Sequence, residues 1–379
     1  ILEMLKRIQE IIRQMEICTR IIFSGQFLSQ NLKNLSLMLL QTIKIKIMKT
    51  KILESTKENI AFAARVIKEG GLVAFPTETV YGLGADALNE EAVKKIYRAK
   101  GRPSDNPMIC HISSIDDMSF LADDVNAKAE KLMRLFSPGP ITVIVRKSEA
   151  VPLVTSGGLD TVGVRLPDND IARALIKEAG VPIAAPSANL SGKPSPTKVE
   201  HVVEDMDGKV DVILKGEDCR VGIESTVIDT TGKELMILRP GMVTAKEISQ
   251  KMEEPVIYDL SLNKAPEDED FAPKAPGMKY KHYAPKGEMR IFEGSPENVK
   301  AEIERQKKEA VKKGIKADVI LFEADAYEEA AHDFFAKLRE MDLRGVELIF
   351  CGGMKMKDDV GFAVMNRMLK SAGYNIIKV

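Results

Sequence analysis

FPTETVYGLGADALNEEAVKKIYRAKGRPSDNPMICH, residues Phe75–His111, is the stretch on which the reading of the fold turns. The apolar run Leu72 to Phe75 has the character of a buried strand and empties into Pro76, two threonines around Glu78, and Tyr81-Gly82-Leu83-Gly84. The glycines point to a polar loop whose backbone turns close to a ligand. Helical spacing follows. Asn89 stands at the cap position, Glu90 and Glu91 fall in the first turn, Ile96 and Tyr97 share an apolar side, and Gly101 lies just beyond the end. Lys100, Arg102, Asn106 and His111 then come within a short distance along the chain. Hydroxyls, two cations, an amide and an imidazole from one strand-loop-helix-loop unit suit a small anionic ligand.

Working outward, strand and helix patterns alternate from Met48 to about residue 258. Glu58–Glu69 has helical spacing and stops at Gly70-Gly71. A helix is expected near Val125–Phe136, then the turn Ser137-Pro138-Gly139-Pro140 and a strand over Ile141–Val145. Thr161–Leu166 reads as a strand, Ile171–Ala179 as a helix ended by Gly180, and Pro182–Ala185 as a buried strand opening into Pro186 to Gly192. Ser225–Asp229 and Leu235–Arg239 flank a Thr230–Lys233 turn as a hairpin, and a short helix follows Thr244. This is the pattern of an α/β domain with a mixed sheet and polar loops at strand ends.

Residues 259–286 read as a linker, with four prolines and the acidic run Glu267 to Asp270. Gly277–Tyr283 within it carries two aromatics, two lysines and a histidine, more than a spacer needs. Residues 287–379 alternate strand (Arg290–Phe292), helix (Ser295 cap, Pro296 first position, Gly314 stop), strand (Val319–Phe322), helix, strand (Val346–Phe350), helix and strand (Tyr374–Lys378). They read as a smaller parallel α/β domain of Rossmann-like type, with a packing or regulatory task. Residues 1–47 differ. They hold no Ala, Val, Asp or Pro, and carry seven basic against three acidic residues. The segment is read as an atypical extension that is not native, with Met48 as the start.

With 379 residues, 44% hydrophobic and 29% charged, and a net charge of −1, the chain has the composition of a soluble globular protein of two or three domains. Nothing global announces nucleic acid or a membrane. No run reaches the ~18 apolar residues of a membrane-spanning helix. Cys18, Cys110, Cys219 and Cys351 are scattered without metal-ligand spacing and read as packing residues of a cytoplasmic protein.

GxxxxGK[ST], HExxH, kinase motifs and EF-hand loops are all missing. The polar candidates are Thr77/Thr79, Lys100–His111, Ser187–Ser195 and Glu224–Thr226, with Arg165 and Arg239 on strands. Each also has a bland reading. The arginines fit an ion pair with a carboxylate at a sheet edge, His111 fits a satisfied core histidine, and Ser187 and Asn189 fit turn residues.

The ordered set Phe75-Pro-Thr-Glu-Thr-Val-Tyr-Gly-Leu-Gly, Lys100-Gly-Arg-Pro with Asn106-Pro107, Ser137-Pro-Gly-Pro, Pro186-Ser-Ala-Asn, Glu224-Ser-Thr-Val, Leu238-Arg-Pro-Gly and Ala275-Pro-Gly-Met-Lys-Tyr-Lys-His-Tyr-Ala-Pro resembles the motifs of the YrdC-like threonylcarbamoyl-AMP synthases in their two-domain form. The resemblance runs from about residue 50 to the end. It implies an enzyme that joins L-threonine, bicarbonate and ATP with Mg²⁺ into threonylcarbamoyl-adenylate and pyrophosphate. The product then goes to a transferase complex that modifies tRNA, with a tRNA contact conceivable. Carried over by position, Thr79, His111, Arg165, the Ala185 backbone and Ser225 line the threonine pocket. Arg102, Asn106, Thr161, Ser187, Ser195, Arg239 and Tyr283 hold ATP. Lys100 and Arg102 carry the catalytic charge.

The same resemblance implies no dedicated protein metal site, with Mg²⁺ riding on the phosphates, and a linker acting as a lid. Met108 stands where the family usually has leucine, and Lys281 where an arginine is expected. An RNA-binding module of the same fold and a carbamoyltransferase-type enzyme are the competing readings.

Overall fold

The computed structural model describes residues 49–263, 275, 283–323, 325–354 and 360–379. The extension at residues 1–47, with Cys18, and the linker piece Gly277–His282, with Lys281, lie outside the described residues.

The N-terminal part begins with β1 (Lys51–Glu54), α1 (Lys57–Lys68), β2 (Val73–Phe75), β3 (Gly82–Asp86), α2 (Glu90–Lys100) and β4 (Ile109–His111). It continues through α3 (Ala127–Phe136), β5 (Ile141–Arg146), the one-turn α4 (Leu153–Ser156), β6 (Thr161–Arg165), α5 (Asp170–Ala179) and β7 (Ile183–Ala184). It closes with α6 (Val199–Met206), β8 (Val212–Lys215), β9 (Thr226–Asp229), β10 (Leu235–Arg239), α7 (Ala245–Met252) and β11 (Val256–Tyr258). The strands form one mixed sheet in the order β1-β8-β2-β3-β7-β4-β6-β5-β9-β10-β11. Residues of alternate parity enter opposite cores. Val73, Phe75, Val212 and Leu214 pack with α1 and α5, while Leu72, Ala74 and Ile213 pack with α2, α3, α6 and α7.

Local chemistry sets the helix ends. Asn89 Oδ1 accepts from Ala92 N at 3.1 Å and opens α2; Gly101, at φ 62°, closes it in the left-handed region. Thr244 likewise caps α7.

The smaller sheet comprises β12 (Glu288–Glu293), β13 (Ala317–Ile320), β14 (Leu348–Gly352) and β15 (Ile376–Lys378), with α8 (Pro296–Lys312), α9 (Tyr327–Leu343) and α10 (Val360–Ser371) between them. Its order is β13-β14-β12-β15 and every pairing is parallel, as the alternating pattern predicted. Helix α8 covers one face. On the other, α9 and α10 share a core that also takes in Val80, Ile223 and Tyr283, so this layer is packed from both sides.

Two expectations need correction. The glycine loop at Tyr81–Gly84 is largely strand: β3 pairs antiparallel with β2, setting Gly84 opposite Val73. A Cβ at Gly84 would lie 2.7 Å from both Phe75 Cε1 and Ile183 Cγ2, so close ring packing, not a turn, requires the glycine. The stretch 193–224, in which no element was expected, contains α6 and β8.

Candidate active site

Arg165 ends β6 and His111 ends β4. The two strands run parallel with these residues in register, which places both side chains on one face of the sheet. Arg165 Nη2 donates to Thr79 Oγ1 at 2.8 Å and lies 2.8 Å from Glu78 Oε2. Thr79 Oγ1 is in turn 2.9 Å from Thr77 Oγ1. The ion-pair reading of Arg165 therefore holds, although the pair is interior and not at a sheet edge. Neither Glu78 oxygen has hydrogen-bond geometry to a partner, and the same is true of His111 Nδ1. Burial, followed by the nearby Arg165 charge, lowers the His111 pKa to about 3, so the ring is neutral.

The second cluster gathers at β9 and β10. The β9–β10 register shifts between Ile237 and Arg239, an irregularity of the ladder beside the arginine. Arg239 Nε donates to Ser225 O and Nη2 to Ser225 Oγ, both at 3.0 Å. Ser225 Oγ also meets Thr142 Oγ1 at 2.8 Å. Ser195 Oγ donates to Glu224 Oε1 at 2.6 Å. Burial lowers the Arg239 pKa to about 10, the neighbouring Tyr283 and Glu224 opposing it.

The third cluster surrounds Lys100. Its Nζ donates to Ser187 O at 2.5 Å, Asn189 O at 2.6 Å and Asn189 Oδ1 at 3.2 Å, so the ammonium ties the Ser187–Asn189 loop to the end of α2. Burial, then Arg102, presses its pKa well below the usual lysine value. Arg102 Nη2 donates to Pro107 O at 3.0 Å, and the Asn106 carbonyl accepts from Tyr97 Oη at 3.0 Å.

These clusters face one cavity. Lys100, Arg102, His111, Arg165, Ala185, Ser187, Arg239 and Tyr283 are on its wall, as are Asn189 and Glu224, to which the sequence reading gave no ligand role. Thr79, Ser195 and Ser225 are bonded to wall residues and fully buried beside them. Asn106 is buried next to Arg102, its Oδ1 without a hydrogen-bond partner among the described residues. Thr161 starts β6 opposite Arg146 and is not on the wall. Tyr283 stacks on Phe335 of α9 with ring centroids 4.9 Å apart, its backbone at φ 63° and Ala284 N bonded to Gly192 O at 2.8 Å. Tyr283 is thereby held on the cavity wall.

The second domain contributes two side chains that sequence reasoning missed. Arg367 of α10 bonds Glu224, and Arg339 of α9 pairs with Asp205 at 2.7 Å. A signal existed for Arg367: it stands in a helix that is otherwise mostly apolar. Among the described residues no three His, Cys, Asp or Glu gather as metal ligands. No helix there is long and apolar enough to cross a membrane. Burial pushes the thiols of Cys110 and Cys351 up to about 12 and raises that of Cys219, in keeping with packing roles.

A family profile described as "Telomere recombination" matches residues 65–241, and one described as "Threonylcarbamoyl-AMP synthase, C-terminal domain" matches residues 243–373. A threonylcarbamoyl-AMP synthase of Pyrococcus abyssi is 48% identical over 334 residues, covering 84% of this chain and 96% of its own. Its counterpart from Bacillus subtilis is 43% identical over 341 residues, covering 86% and 96%. The crystal structure of P. abyssi Sua5 complexed with L-threonine superposes with a TM-score of 0.82 at 46% identity, covering 87% of this chain and all of that one.

Proposed function

The chain belongs to the threonylcarbamoyl-AMP synthase family, and from that premise we propose that it condenses L-threonine, bicarbonate and ATP to threonylcarbamoyl-AMP and pyrophosphate. The observation that carries the reading is one cavity whose wall holds Arg165 beside neutral His111 and also Lys100, Arg102 and Arg239. A small amino acid with a carboxylate and a hydroxyl suits Arg165 and the hydroxyls around it, and a triphosphate suits the remaining cations.

In this reading Arg165 takes the threonine carboxylate, with Thr79, His111, Ser225 and the Ala185 backbone shaping the pocket. Arg102, Asn106, Ser187, Ser195, Arg239 and Tyr283 serve ATP; Thr161, off the cavity wall, is given no contact in this reading. Lys100 secures the Ser187–Asn189 loop. The threonine amine takes up bicarbonate to form a carbamate with loss of water. A carbamate oxygen then bonds to the α-phosphorus as the bond to pyrophosphate breaks. Positioning and charge neutralisation supply the acceleration, as in phosphoryl transfer generally.

Mg²⁺ enters as part of the nucleotide substrate, where it screens the triphosphate charge. This fits the donors present: Glu78 and Glu224 each face an arginine and are not gathered as a metal site. The adenylate is handed to a tRNA threonylcarbamoyl-transferase complex in the cytoplasm, a tRNA contact belonging to that hand-over. Tyr283 helps exclude water from a product prone to hydrolysis.

Pyrophosphate release from ATP should require both threonine and bicarbonate. Binding of ATP or tRNA with no threonine-dependent pyrophosphate would sink the synthase reading.

A further inference from the structure

Arg367 comes from the C-terminal domain yet has no solvent exposure at all and ends beneath the cavity. Its Nε donates to Glu224 Oε2 at 3.1 Å, Nη1 to Pro240 O at 2.5 Å and Nη2 to Glu224 O at 3.4 Å. One guanidinium therefore grips both shoulders of the β9–β10 cluster, the Glu224-Ser225 step and the Arg239-Pro240 step. Glu224 passes the constraint on to Ser195 through its other oxygen. Burial raises the Glu224 pKa, but Arg367, then Arg239 and the Ser195 hydroxyl, more than offset it, and the group is a carboxylate.

The rest of the domain holds Arg367 in place. Arg339 of α9 donates to Pro194 O at 3.1 and 2.7 Å, next to Ser195, and pairs with Asp205. Gly222, at φ 84°, lets the loop before Glu224 come against the backbone of Ala331 and His332, where any Cβ would collide.

We propose that Arg367 is a positioning residue for the nucleotide half of the site, and that this is a task of the C-terminal domain. The identity of the anion rests on the synthase reading above. Glu224 and Arg239 lie close enough to influence each other's charge. With Arg367 in place, the buried carboxylate is held by a cation from below. Without it, Glu224 draws on Arg239, which already bonds Ser225, and pulls that cavity-wall arginine toward an internal pair. Ser195 would shift with Glu224. The Arg165–Glu78–Thr79 cluster shares none of these bonds, so the threonine carboxylate keeps its arginine; of the threonine pocket only Ser225, which Arg239 bonds, is touched by the loss.

The test is calorimetric ATP binding, a readout independent of turnover, alongside threonine binding and thermal melting. Arg367→Met should weaken ATP by about tenfold or more and threonine, through Ser225 alone, by several-fold less than ATP. Arg367→Lys, which keeps the charge but not the fork onto Pro240 O, should fall between. Adding Glu224→Gln to Arg367→Met should restore part of the ATP affinity, because the competing carboxylate is gone. Arg344→Gln, on an exposed ion pair within the same domain, serves as the control. Unchanged ATP affinity in folded Arg367→Met overturns the proposal, as does an equal loss of both ligands. Should Arg367→Met not fold, Arg367→Lys decides by the same criterion. A wild-type protein that binds ATP but releases no pyrophosphate would sink the synthase reading and leave the Arg367 assignment to the ATP dissociation constants.

Discussion

Glu78 shows how a motif can name a residue without revealing its work. The sequence quotes it between two threonines, and the threonines attract the chemical reading. In the structure its carboxylate lies 2.8 Å from Arg165, with both side chains at most 5% exposed. Which carboxylate meets Arg165 is not legible in the chain, because the partners are 87 residues apart and are brought together only by the loop before β3. His111 illustrates a related point: the ring is buried and neutral as in a core histidine, yet its Nδ1 meets no hydrogen-bond partner among the described residues and the side chain is on the cavity wall. We expect Glu78→Gln to leave a buried guanidinium without its counter-ion and to cost roughly 3 kcal/mol in stability. Arg165 would also lose its orientation, so KM for threonine should rise about tenfold with KM for ATP little changed. Denaturant melts and initial rates check this. A threonine KM equal to wild type would show that Thr79 alone orients Arg165.

At the scale of elements, helices were the more legible. Cap residues and apolar spacing located α2, α5 and α7 within a residue or two, because those signals are local. Strand β3 was misread since two glycines in five residues carry the signature of a turn, and only the side chains that press on them, Phe75, Ile183 and Ala185, explain them. The register shift in β10 beside Arg239 was equally invisible, because it depends on pairing with β9. Gly84→Val therefore tests the packing account directly. Its branched side chain meets Phe75 and Ile183 from within the sheet, and we expect a loss of about 2–3 kcal/mol, read as a lower urea midpoint. A turn requirement predicts otherwise, because Gly84 has no positive φ and a valine there would then be tolerated.

Across the whole molecule, the motifs that marked the site left the domain junction almost unread, because the junction is made of ion pairs between distant segments. Two arginines of the second domain sit against buried acids of the first, Arg339 on Asp205 and Arg367 on Glu224. Ending the chain near residue 258 would remove both together with Tyr283, so lost product from a shortened chain would not isolate a lid.

The junction and the cavity also set the pH response. Arg339 and Lys193 hold Asp205 below its usual pKa despite burial, as Arg367 does Glu224. Groups with depressed folded pKa values give stability above their unfolded pKa, and it is lost as pH falls. Burial also lowers His111 to about 3 and His201 to about 4, so between pH 6.5 and those values the unfolded chain binds more protons and stability again falls with pH.

Lys370, one turn beyond Arg367, is lowered to about 7 by burial and then by Arg367 and Arg239. Between pH 7 and its ordinary value of 10.5 the unfolded state again holds the extra proton, so stability rises with pH there too. Tyr81, Tyr97 and Tyr283, all raised by burial, reverse the trend only above their ordinary value of 10.0. Melting temperature should therefore climb across pH 4 to 9 instead of peaking near neutrality. Lys370→Met should raise stability at pH 7 and flatten the slope above it. A Lys370→Met protein with the wild-type slope between pH 7 and 9 would show that the lysine stays charged in the fold, stabilised by contacts that outweigh its burial.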